Sequence, residues 1–452
     1  PEILPDYYLA LERIDKAIRN EEKILVWGHE DLDGITATVL VYNILKDLRA
    51  NVSYYIPPKH KKKYGLNLED LELFKNQGLD LVIMVDSGTT NILEIKEAKE
   101  KKVDVIVIDH HEVLEDLPPA IAVINPKRKD SSYPFRELAG VGVVLKFLLG
   151  MVKELMDIST EEFFSCKNDL FFLACLGTIA DRVPLIFENR VIVTLGIKTF
   201  DNLNRAFKKP ILNILEKRKF NVTNFIIFLL PIFANSDGNK GVKFFITKDE
   251  KEADEIFKEF ENRSQKWQED AKRSLEIAEA IKIISDKIII VKSDELALGC
   301  LGYVAGKLTE KYHLPAMVIG RVDGKRYVGE CRCDEENSIL EILKINKEYL
   351  IDYGGHKKAC GFSIASEKLE NFIKKVIKDV EKLFTNIKTN SFTHFYEGIL
   401  EINDTNRNLL SFLPPFGEGN PPPILLAPKA KEGKDLIYTI DEDNNIIVKD
   451  VL

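Results

Sequence analysis

The sequence contains few cysteines, and none of them has the spacing of a metal-binding pair. Its six cysteines are scattered through 452 residues, without a Cys-x-x-Cys spacing. A zinc knuckle or a disulfide-stabilised fold is therefore not expected, and this usage is typical of a reducing cytoplasm. Cys331 and Cys333 are two residues apart on a predicted strand, so both should point to one buried face as small apolar side chains.

Long apolar runs and an excess of positive charge are also missing. No stretch is apolar for long enough to span a bilayer, and no charged-then-apolar leader stands at the start, so neither membrane insertion nor secretion is expected. The formal net charge of −8 argues against a broadly basic surface for nucleic acid. A nucleic-acid site around bound cations stays open, because net charge governs solubility and steering more than a single groove.

The chain is too long for one compact core, and 45% of its residues are hydrophobic. Two or three globular domains are therefore expected. Residues 23–126 alternate short, β-branched apolar runs with amphipathic stretches, which is the pattern of an open α/β sheet with parallel strands. The predicted strands are Lys23–Trp27, Leu81–Val85 and Val103–Ile108, with helices at Ile35–Leu48 and Asn91–Lys102.

Four segments are predicted along the chain. Residues 1–247 form the first α/β domain, with a mostly helical second half, and residues 248–285 form a long charged helix that bridges to the next domain. A solvated surface helix is the alternative for this segment. Residues 286–385 form a second, smaller α/β domain. Residues 386–452 form a short β-rich module, with proline and glycine marking a fixed loop near its start.

Three predicted strands and one helical run end in acidic or histidine side chains. The carboxyl ends of neighbouring parallel strands meet at one edge of an open sheet, so these side chains are expected to converge there. In chain order they are His29, Asp31, Asp33, Asp86, Asp109, His110, His111 and Asp181.

Such a concentration of carboxylates needs cations, because four negative charges cannot share a small cleft without them. Oxygen and imidazole ligands suit Mn²⁺ or Mg²⁺, and two such ions about 4 Å apart can clamp a phosphoryl group and activate water. A single aspartate after a strand is usually a helix N-cap, and an isolated Asp-x-Asp-Gly is weak evidence. Capping does not explain all four motifs together, so we interpret them as a two-metal site.

These segments resemble the four ordered motifs of the DHH phosphoesterase superfamily. The resemblance implies a metal-dependent hydrolase of phosphate esters. The residues that carry it are His29-Glu30-Asp31-Leu32-Asp33-Gly34, Val85-Asp86-Ser87-Gly88, Asp109-His110-His111 and Gly177-Thr178-Ile179-Ala180-Asp181.

The resemblance also implies roles by position. Asp86, His111 and Asp109 would be catalytic: Asp86 would bridge two metals, His111 would contact the scissile phosphate and Asp109 would hold a histidine in place. Many members carry a ligand histidine four residues before the first aspartate, where this chain has Trp27, so His29 is assigned instead. The implied metal ligands are His29, Asp31, Asp33, Asp86, His110 and Asp181.

Within the superfamily, the sequence resembles the RecJ family of single-strand-specific exonucleases. The resemblance implies a DHH domain, a DHHA1 substrate-binding domain and an abbreviated OB-like module at the end. The matching segments include Tyr54–Pro57, Tyr64–Leu66, Leu138–Val143, Pro184–Leu185, Glu188–Arg190, Glu310–Ala316 and Pro415–Pro421.

In the DHHA1 domain, the resemblance implies that Arg332, Gly354, Gly355 and His356 bind substrate. Paired glycines let backbone amides approach a phosphate, and a histidine can add a hydrogen bond. A simple glycine turn is the alternative interpretation of this loop. We expect the two α/β domains to form a cleft, with His356 and Arg332 facing the acidic cluster.

Other candidate contacts for nucleic acid are less specific. The basic run Lys59–Lys63 is either a guide for phosphates or a solvated loop. The loop Asn235–Gly241 contains Lys240, where RecJ relatives usually have an arginine. Aromatic side chains near the end can stack on bases or belong to a core; they are Phe392, Phe395, Tyr396 and Tyr438.

The resemblance implies an exonuclease that degrades single-stranded DNA, expected 5′ to 3′, to mononucleotides in repair or recombination. Its cofactors would be two Mn²⁺ or Mg²⁺ ions, and a helicase or single-strand-binding protein is the kind of partner it implies. One alternative is a DHH enzyme for short RNA or small nucleotides, which usually lacks the OB-like end. The other is a non-catalytic replication scaffold, a class that has lost metal ligands which this chain retains.

Overall fold

The computed structural model describes residues 1–58, 65–113, 116–285, 287–333, 338–355, 358–383, 396–431 and 434–451. The chain divides into two compact units, one of residues 1–261 with 395–452 and the other of residues 262–394. Within the described ranges, no single helix is both long and apolar enough to cross a membrane; a sharply bent pair, Thr160–Cys166 with Asn168–Ala180, meets those two criteria together.

A five-stranded parallel sheet forms the centre of the first unit. Its strands are β1 (Ile24–Trp27), β2 (Val52–Tyr55), β3 (Leu81–Val85), β4 (Asp104–Ile108) and β5 (Ala122–Ile124), in the order β2-β1-β3-β4-β5. Successive residues point to opposite faces and both faces are buried: Val26 and Ile83 lie in one core, Trp27 and Met84 in another. The predicted open parallel sheet is confirmed.

Helices cover both faces of this sheet. Asp31 caps the first turn of α2. The sequence of α2 is apolar on almost every side, because this helix packs between the sheet and the helices α5 and α7. The helices of the first unit are α1 (Tyr7–Arg19), α2 (Leu32–Asp47), α3 (Leu68–Lys75), α4 (Ile92–Glu100), α5 (Gly140–Met156), α6 (Thr160–Cys166), α7 (Asn168–Ala180), α8 (Phe187–Phe200), α9 (Lys208–Leu215), α10 (Val222–Asn224), α11 (Leu230–Phe233) and α12 (Gly238–Ile246), with a π-helical turn at Phe225–Leu229.

A single helix, α13 (Glu250–Ile281), begins in the first unit and ends in the second. Its apolar residues recur every three or four positions, and it contributes Phe257 and Phe260 to the main core of the first unit. Near its end, Ala278 belongs to a core of the second unit. This is the long bridging helix that the sequence predicts.

A six-stranded mixed sheet forms the second unit. Its strands are β6 (Ile283–Ile284), β7 (Ile289–Ser293), β8 (Ala316–Asp323), β9 (Arg326–Arg332), β10 (Leu350–Gly355) and β11 (Ala359–Ala365), and its helices are α14 (Leu301–Tyr312), α15 (Ile339–Ile345) and α16 (Ser366–Leu383). The order is β10-β11-β9-β8-β7-β6, with only β7 and β8 parallel. Cys331 and Cys333 are both buried in one core, as predicted.

The end of the chain is β-rich, as predicted, and packs within the first unit. It contains β12 (Gly398–Ile399), α17 (Asp404–Leu410), β13 (Leu425–Lys431), β14 (Lys434–Ile440) and β15 (Ile446–Val451). Hydrogen bonds hold its entry loop: Arg190 Nη2 donates to the carbonyls of Phe412 (2.7 Å) and Pro414 (2.9 Å), and the amide of Leu185 donates to the carbonyl of Glu418 (2.7 Å).

Candidate metal centre

The acidic and histidine residues singled out in the first domain lie at one edge of the parallel sheet. Strands β1, β3 and β4 are neighbours, and the strand order changes direction between β1 and β3, where ligands of open α/β sheets usually bind. The loops after these strands carry His29, Asp86 and His110, and the end of α7 carries Asp181. The convergence expected from the strand ends is therefore present.

Asp86 lies at the centre of the cluster and is only 2% exposed. Its Oδ1 is 3.2 Å from Nε2 of His110, and its Oδ2 is 3.6 Å from Nδ1 of His29. The residue adopts a left-handed backbone conformation with φ of 53°, which is uncommon outside glycine but which aspartate adopts more often than most residues. Each carboxylate oxygen of Asp86 thus faces a different group of ligands.

The first group consists of Asp33, His110 and Asp181. Nε2 of His110 lies 3.9 Å from Oδ2 of Asp33 and 3.7 Å from Oδ2 of Asp181. The first turn of α5 positions Asp33, because the amides of Gly140 and Val141 donate to its two carboxylate oxygens at 2.7 and 2.8 Å. These three side chains present donor atoms that lie within 4.8 Å of one another.

The second group consists of His29 and Asp31 with the other oxygen of Asp86. Nδ1 of His29 is 3.0 Å from Oδ2 of Asp31. The second oxygen of Asp31 accepts the amide of Gly34 at 2.9 Å, so Asp31 also caps α2. Asp31 therefore does both: it caps a helix, as a single aspartate after a strand usually does, and it belongs to the cluster. Trp27 lies elsewhere, with its indole N–H donating to the carbonyl of Gly65.

His111 lies at the rim of the cluster and is held by Asp109. Its Nδ1 is 2.7 Å from Oδ1 of Asp109, while its side chain is 53% exposed. Asp109 is buried and also accepts the amides of Thr89 (3.0 Å) and His110 (2.7 Å). Asp109 is therefore fixed by the backbone and in turn holds Nδ1 of His111, whose side chain stays about half exposed.

The cluster carries more carboxylates than it can ionise without cations. Burial, together with the neighbouring carboxylates Asp86 and Asp181, raises the pKa of Asp33 well above its ordinary value. Burial likewise raises the pKa of Asp181 to about 6. Burial opposes the charged form of His110, but Asp86 and its neighbours outweigh this and raise its pKa to about 9. The contacts of His110 and His29 hold the pKa of buried Asp86 below its ordinary range.

The residues present fit divalent cations. The nearest polar neighbours of Asp86 Oδ2 and His110 Nε2 are other members of the cluster, and neither atom makes a well-directed hydrogen bond with any residue that the structure describes. Buried polar atoms normally have such partners, and a cation would supply one. Carboxylate oxygens and imidazole nitrogens are the donors that suit Mn²⁺ or Mg²⁺.

The candidate substrate residues belong to the second unit. Arg332 lies at the end of β9, where its guanidinium is 3.1 Å from Oε2 of Glu330 and donates to the carbonyl of Cys331 at 2.8 Å. Gly354 and Gly355 end β10, and Gly355 has a φ of 125°. His356 lies outside the described residues. The cleft that places this loop across from the metal ligands stays a prediction.

Of the other candidates for contacts with nucleic acid, Lys240 forms an ion pair with Glu259. Tyr438 is 1% exposed and belongs to the core of the C-terminal module, so it is a core aromatic, whereas Tyr396 is 40% exposed. The basic run Lys59–Lys63 lies outside the described part of the chain, as do Phe392 and Phe395.

Two residues of the site carry signals too weak to be singled out in the sequence. A Cβ on Gly140 would lie 2.5 Å from Oδ1 of Asp86, so this glycine lets α5 approach Asp86 closely. Fully buried Asn125, directly after β5, donates to Oγ1 of Thr89 at 3.0 Å and to the carbonyl of His111 at 2.9 Å. The signal for Gly140 is its place in a segment that resembles RecJ, and the signal for Asn125 is its position directly after a three-residue apolar run.

Changing Asp109 to asparagine should lower the pKa of His111. The hydrogen bond from Nδ1 of His111 to the carboxylate of Asp109 is the main reason that this pKa is raised to about 9, so His111 keeps its proton and positive charge below that pH. In Asp109→Asn the pKa should return toward about 6.5. The ring resonances of His111, assigned from a His111→Gln spectrum and followed from pH 5 to 10 in EDTA, measure both values. A His111 that titrates equally in the two proteins would contradict the assignment.

The chain is similar to proteins of known family along most of its length. Residues 23–178 match the model described as "DHH family, N-terminal domain", and residues 285–382 match the "DHHA1 domain". The "Single-stranded-DNA-specific exonuclease RecJ" of Bacillus subtilis is 30% identical over 439 residues, which cover 93% of this chain and 54% of that protein. The RecJ of Haemophilus influenzae is 28% identical over 389 residues, covering 80% of this chain and 67% of that protein. The chain thus spans about half to two thirds of these relatives.

Solved structures share the fold. The crystal structure of RecJ in complex with Mn²⁺ from Thermus thermophilus superposes with a TM-score of 0.78 at 23% identity, covering 98% of this chain and 66% of that one. A crystal structure of exonuclease RecJ bound to manganese gives a TM-score of 0.73 at 25% identity, covering 85% of this chain and 96% of that one.

Proposed function

This chain belongs to the DHH family, and from that premise we propose that it is a metal-dependent exonuclease acting on single-stranded DNA. The observation that carries the proposal is the position of Asp86, whose two oxygens face two separate groups of metal ligands. A single carboxylate shared in this way is the arrangement that a two-metal phosphodiesterase requires.

His29 and Asp31 would hold one divalent cation, Asp33, His110 and Asp181 the other, and Asp86 would bridge them. When bound, two Mn²⁺ or Mg²⁺ ions supply Lewis acidity to a phosphoryl group and lower the pKa of a water. His111, exposed at the rim and oriented by Asp109, would contact the scissile phosphate. The first turn of α5 keeps Asp33 fixed, so the donor geometry is set before substrate arrives.

The substrate is proposed from the relatives and from the domain content. Similar proteins of B. subtilis and H. influenzae are named as exonucleases specific for single-stranded DNA, and the solved exonuclease RecJ is bound to manganese. In the second unit, Arg332, Gly354, Gly355 and His356 are proposed to bind the strand. A helicase or single-strand-binding protein as partner and a cytoplasmic location complete the proposal.

Neither alternative function has a specific observation in its favour. An enzyme for short RNA or small nucleotides usually lacks a C-terminal β-rich module, which this chain has. A non-catalytic scaffold would not need the metal ligands, and these converge here with the donor spacing of a metal site.

Digestion of end-labelled strands tests the proposal. With Mn²⁺, a 5′ label on single-stranded DNA should be released at once as mononucleotide, while a 3′ label should give a shrinking ladder. EDTA should stop both reactions, because the site depends on cations. A blunt duplex should resist, because the similar proteins are named as specific for single-stranded DNA.

Other digestion results would change the polarity, the substrate or the assignment as an enzyme. The reverse label pattern would keep the exonuclease and overturn the polarity, and cleavage of closed circular strands would overturn both. Faster digestion of RNA than of DNA would favour the alternative of an oligoribonuclease. No hydrolysis with Mn²⁺ or Mg²⁺ would favour the scaffold.

A further inference from the structure

A groove of about 210 Å³ opens in the first unit beside the end of α7. Its lining is mostly aliphatic, and part of this lining belongs to the hydrophobic core: Ile179 and Leu185 are 3% and 2% exposed. Ile226 lines the same groove but is 41% exposed, so one wall is accessible from solvent. The aliphatic side chains that line the groove are Ile179, Val183, Leu185, Val222 and Ile226.

Arg182 also lines this groove and directly follows the metal-site residue Asp181. Its backbone is left-handed with φ of 58°, a conformation that an arginine rarely adopts. Among the residues that the structure describes, its guanidinium makes neither a hydrogen bond nor an ion pair. An exposed cation without a carboxylate partner therefore stands beside an apolar groove, one residue from a metal ligand.

The third part of the groove comes from the C-terminal loop. A Cβ on Gly417 would lie 2.6 Å from Cδ1 of Leu185, so a larger residue there would push into the wall. The amide of Leu185 donates to the carbonyl of Glu418 at 2.7 Å, which fixes the loop against the groove. Three separate segments of the chain therefore build the groove, and Glu418 adds a hydrogen-bond acceptor to its lining.

The dimensions and the chemistry of the groove limit what it can bind. The volume exceeds that of a few waters, at about 30 Å³ each, and lies below the roughly 300–1,000 Å³ of pockets for larger ligands. Aliphatic walls suit the flat faces of one ring system, an acceptor suits the N–H groups on its edge, and an unpaired guanidinium suits a phosphate beside it. An unpaired nucleobase with its adjoining phosphate has all three features.

We propose that this groove binds one unpaired base of the substrate strand, with Arg182 contacting the phosphate next to it. The proposal rests on the proposed function and deepens it, because it gives a reason for single-strand preference. A base in a duplex would have to leave its stack and its partner before it entered the groove. The preference for single strands over duplex would then come partly from the cost of unpairing and unstacking this base.

Strands with one abasic position test the groove. Fluorescence anisotropy in EDTA at low ionic strength gives the affinity of the protein for single-stranded DNA in which one base is removed at successive positions from the end. With the unmodified protein, removal at one position should weaken binding by about 5-fold or more, because the apolar surface of that base is no longer buried against the aliphatic walls. Ile226→Trp, which fills the groove, should bind the intact strand more weakly and lose the difference between abasic and intact strands.

Two further variants complete the test. Ile227 is 56% exposed in the same π-helical turn but does not line the groove, so Ile227→Trp is the matched control and should behave like the unmodified protein. Arg182→Gln should reduce the salt dependence of binding by about one phosphate contact. Because Arg182 is exposed, this variant keeps the test valid if Ile226→Trp does not fold.

The possible results distinguish a failure of the groove proposal from a failure of the proposed function. Equal affinity for every abasic strand, or equal behaviour of the two tryptophan variants together with an unchanged salt dependence in Arg182→Gln, would overturn the groove while leaving the exonuclease intact. A protein that neither binds nor digests single strands would overturn the proposed function and the groove together.

Discussion

Asp86→Ala should abolish hydrolysis, with a loss in kcat of ~10⁴-fold or more. The side chain offers one oxygen to the group of His110 and the other to His29, so a single change removes a donor from both proposed metal positions. Binding of single-stranded DNA should be unchanged or tighter, because a negative charge is removed from a site for phosphate. Hydrolysis of labelled strands, anisotropy and calorimetric titration of Mn²⁺ measure the three quantities.

Asp80→Ala is the matched control for this variant. Asp80 precedes β3 and Asp86 follows it, so the two aspartates stand at opposite ends of the same strand. Asp80 accepts the amide of Lys23 and lies away from the cluster, so its loss should leave hydrolysis close to normal. Near-normal turnover in Asp86→Ala, or an equal loss in Asp80→Ala, would rule out the two-metal assignment.

Gly140→Ala should also disable the centre, although alanine is ordinarily a better helix former than glycine. The new methyl group would lie 2.5 Å from Oδ1 and 2.8 Å from Cβ of Asp86, so the carboxylate has to move. Displacing a reacting group by about 1 Å can lower a rate by ~100-fold. Affinity for Mn²⁺ and kcat should both fall, while the thermal unfolding temperature should not fall in parallel.

Gly142→Ala provides the comparison on the same helix. Its Cβ would meet Leu138 at 3.3 Å as its nearest neighbour, and every atom of the cluster lies farther away than that. We expect normal activity and a slightly higher unfolding temperature. If both alanine variants lost activity equally, a change in α5 as a whole, rather than the approach of Gly140 to Asp86, would explain the loss.

The strands that carry ligands were the easiest elements to predict. The prediction of β3 at Leu81–Val85 has the same bounds as the structure, because five consecutive apolar residues are buried on both faces. Two edge strands were missed. In β2, Val52–Tyr55 has only one buried residue, and β5, Ala122–Ile124, is three residues long, so neither produces a recognisable apolar run.

The convergence of the candidate metal ligands is predictable for a related reason. Parallel neighbours bring their carboxyl ends to one edge whatever lies in the loops, so Asp86 and His110 had to meet once the strands paired. The supporting contacts do not follow from that rule. Gly140 reaches Asp86 only because α5 packs on the sheet in one particular position, and Asn125 reaches His111 through the course of a loop. Such contacts depend on tertiary packing, which local sequence patterns do not record.

The spread of the candidate metal ligands along the chain also has a consequence for folding. They come from loops after three strands and from the ends of α2 and α7, between His29 and Asp181, and only the completed sheet brings them together. Contacts of such high sequence separation form late in folding, so a nascent or partly folded chain has no binding site to offer a cation. Cation binding should therefore follow assembly of the five-stranded sheet. Binding of Mn²⁺ can then be used to detect when the first unit has finished folding.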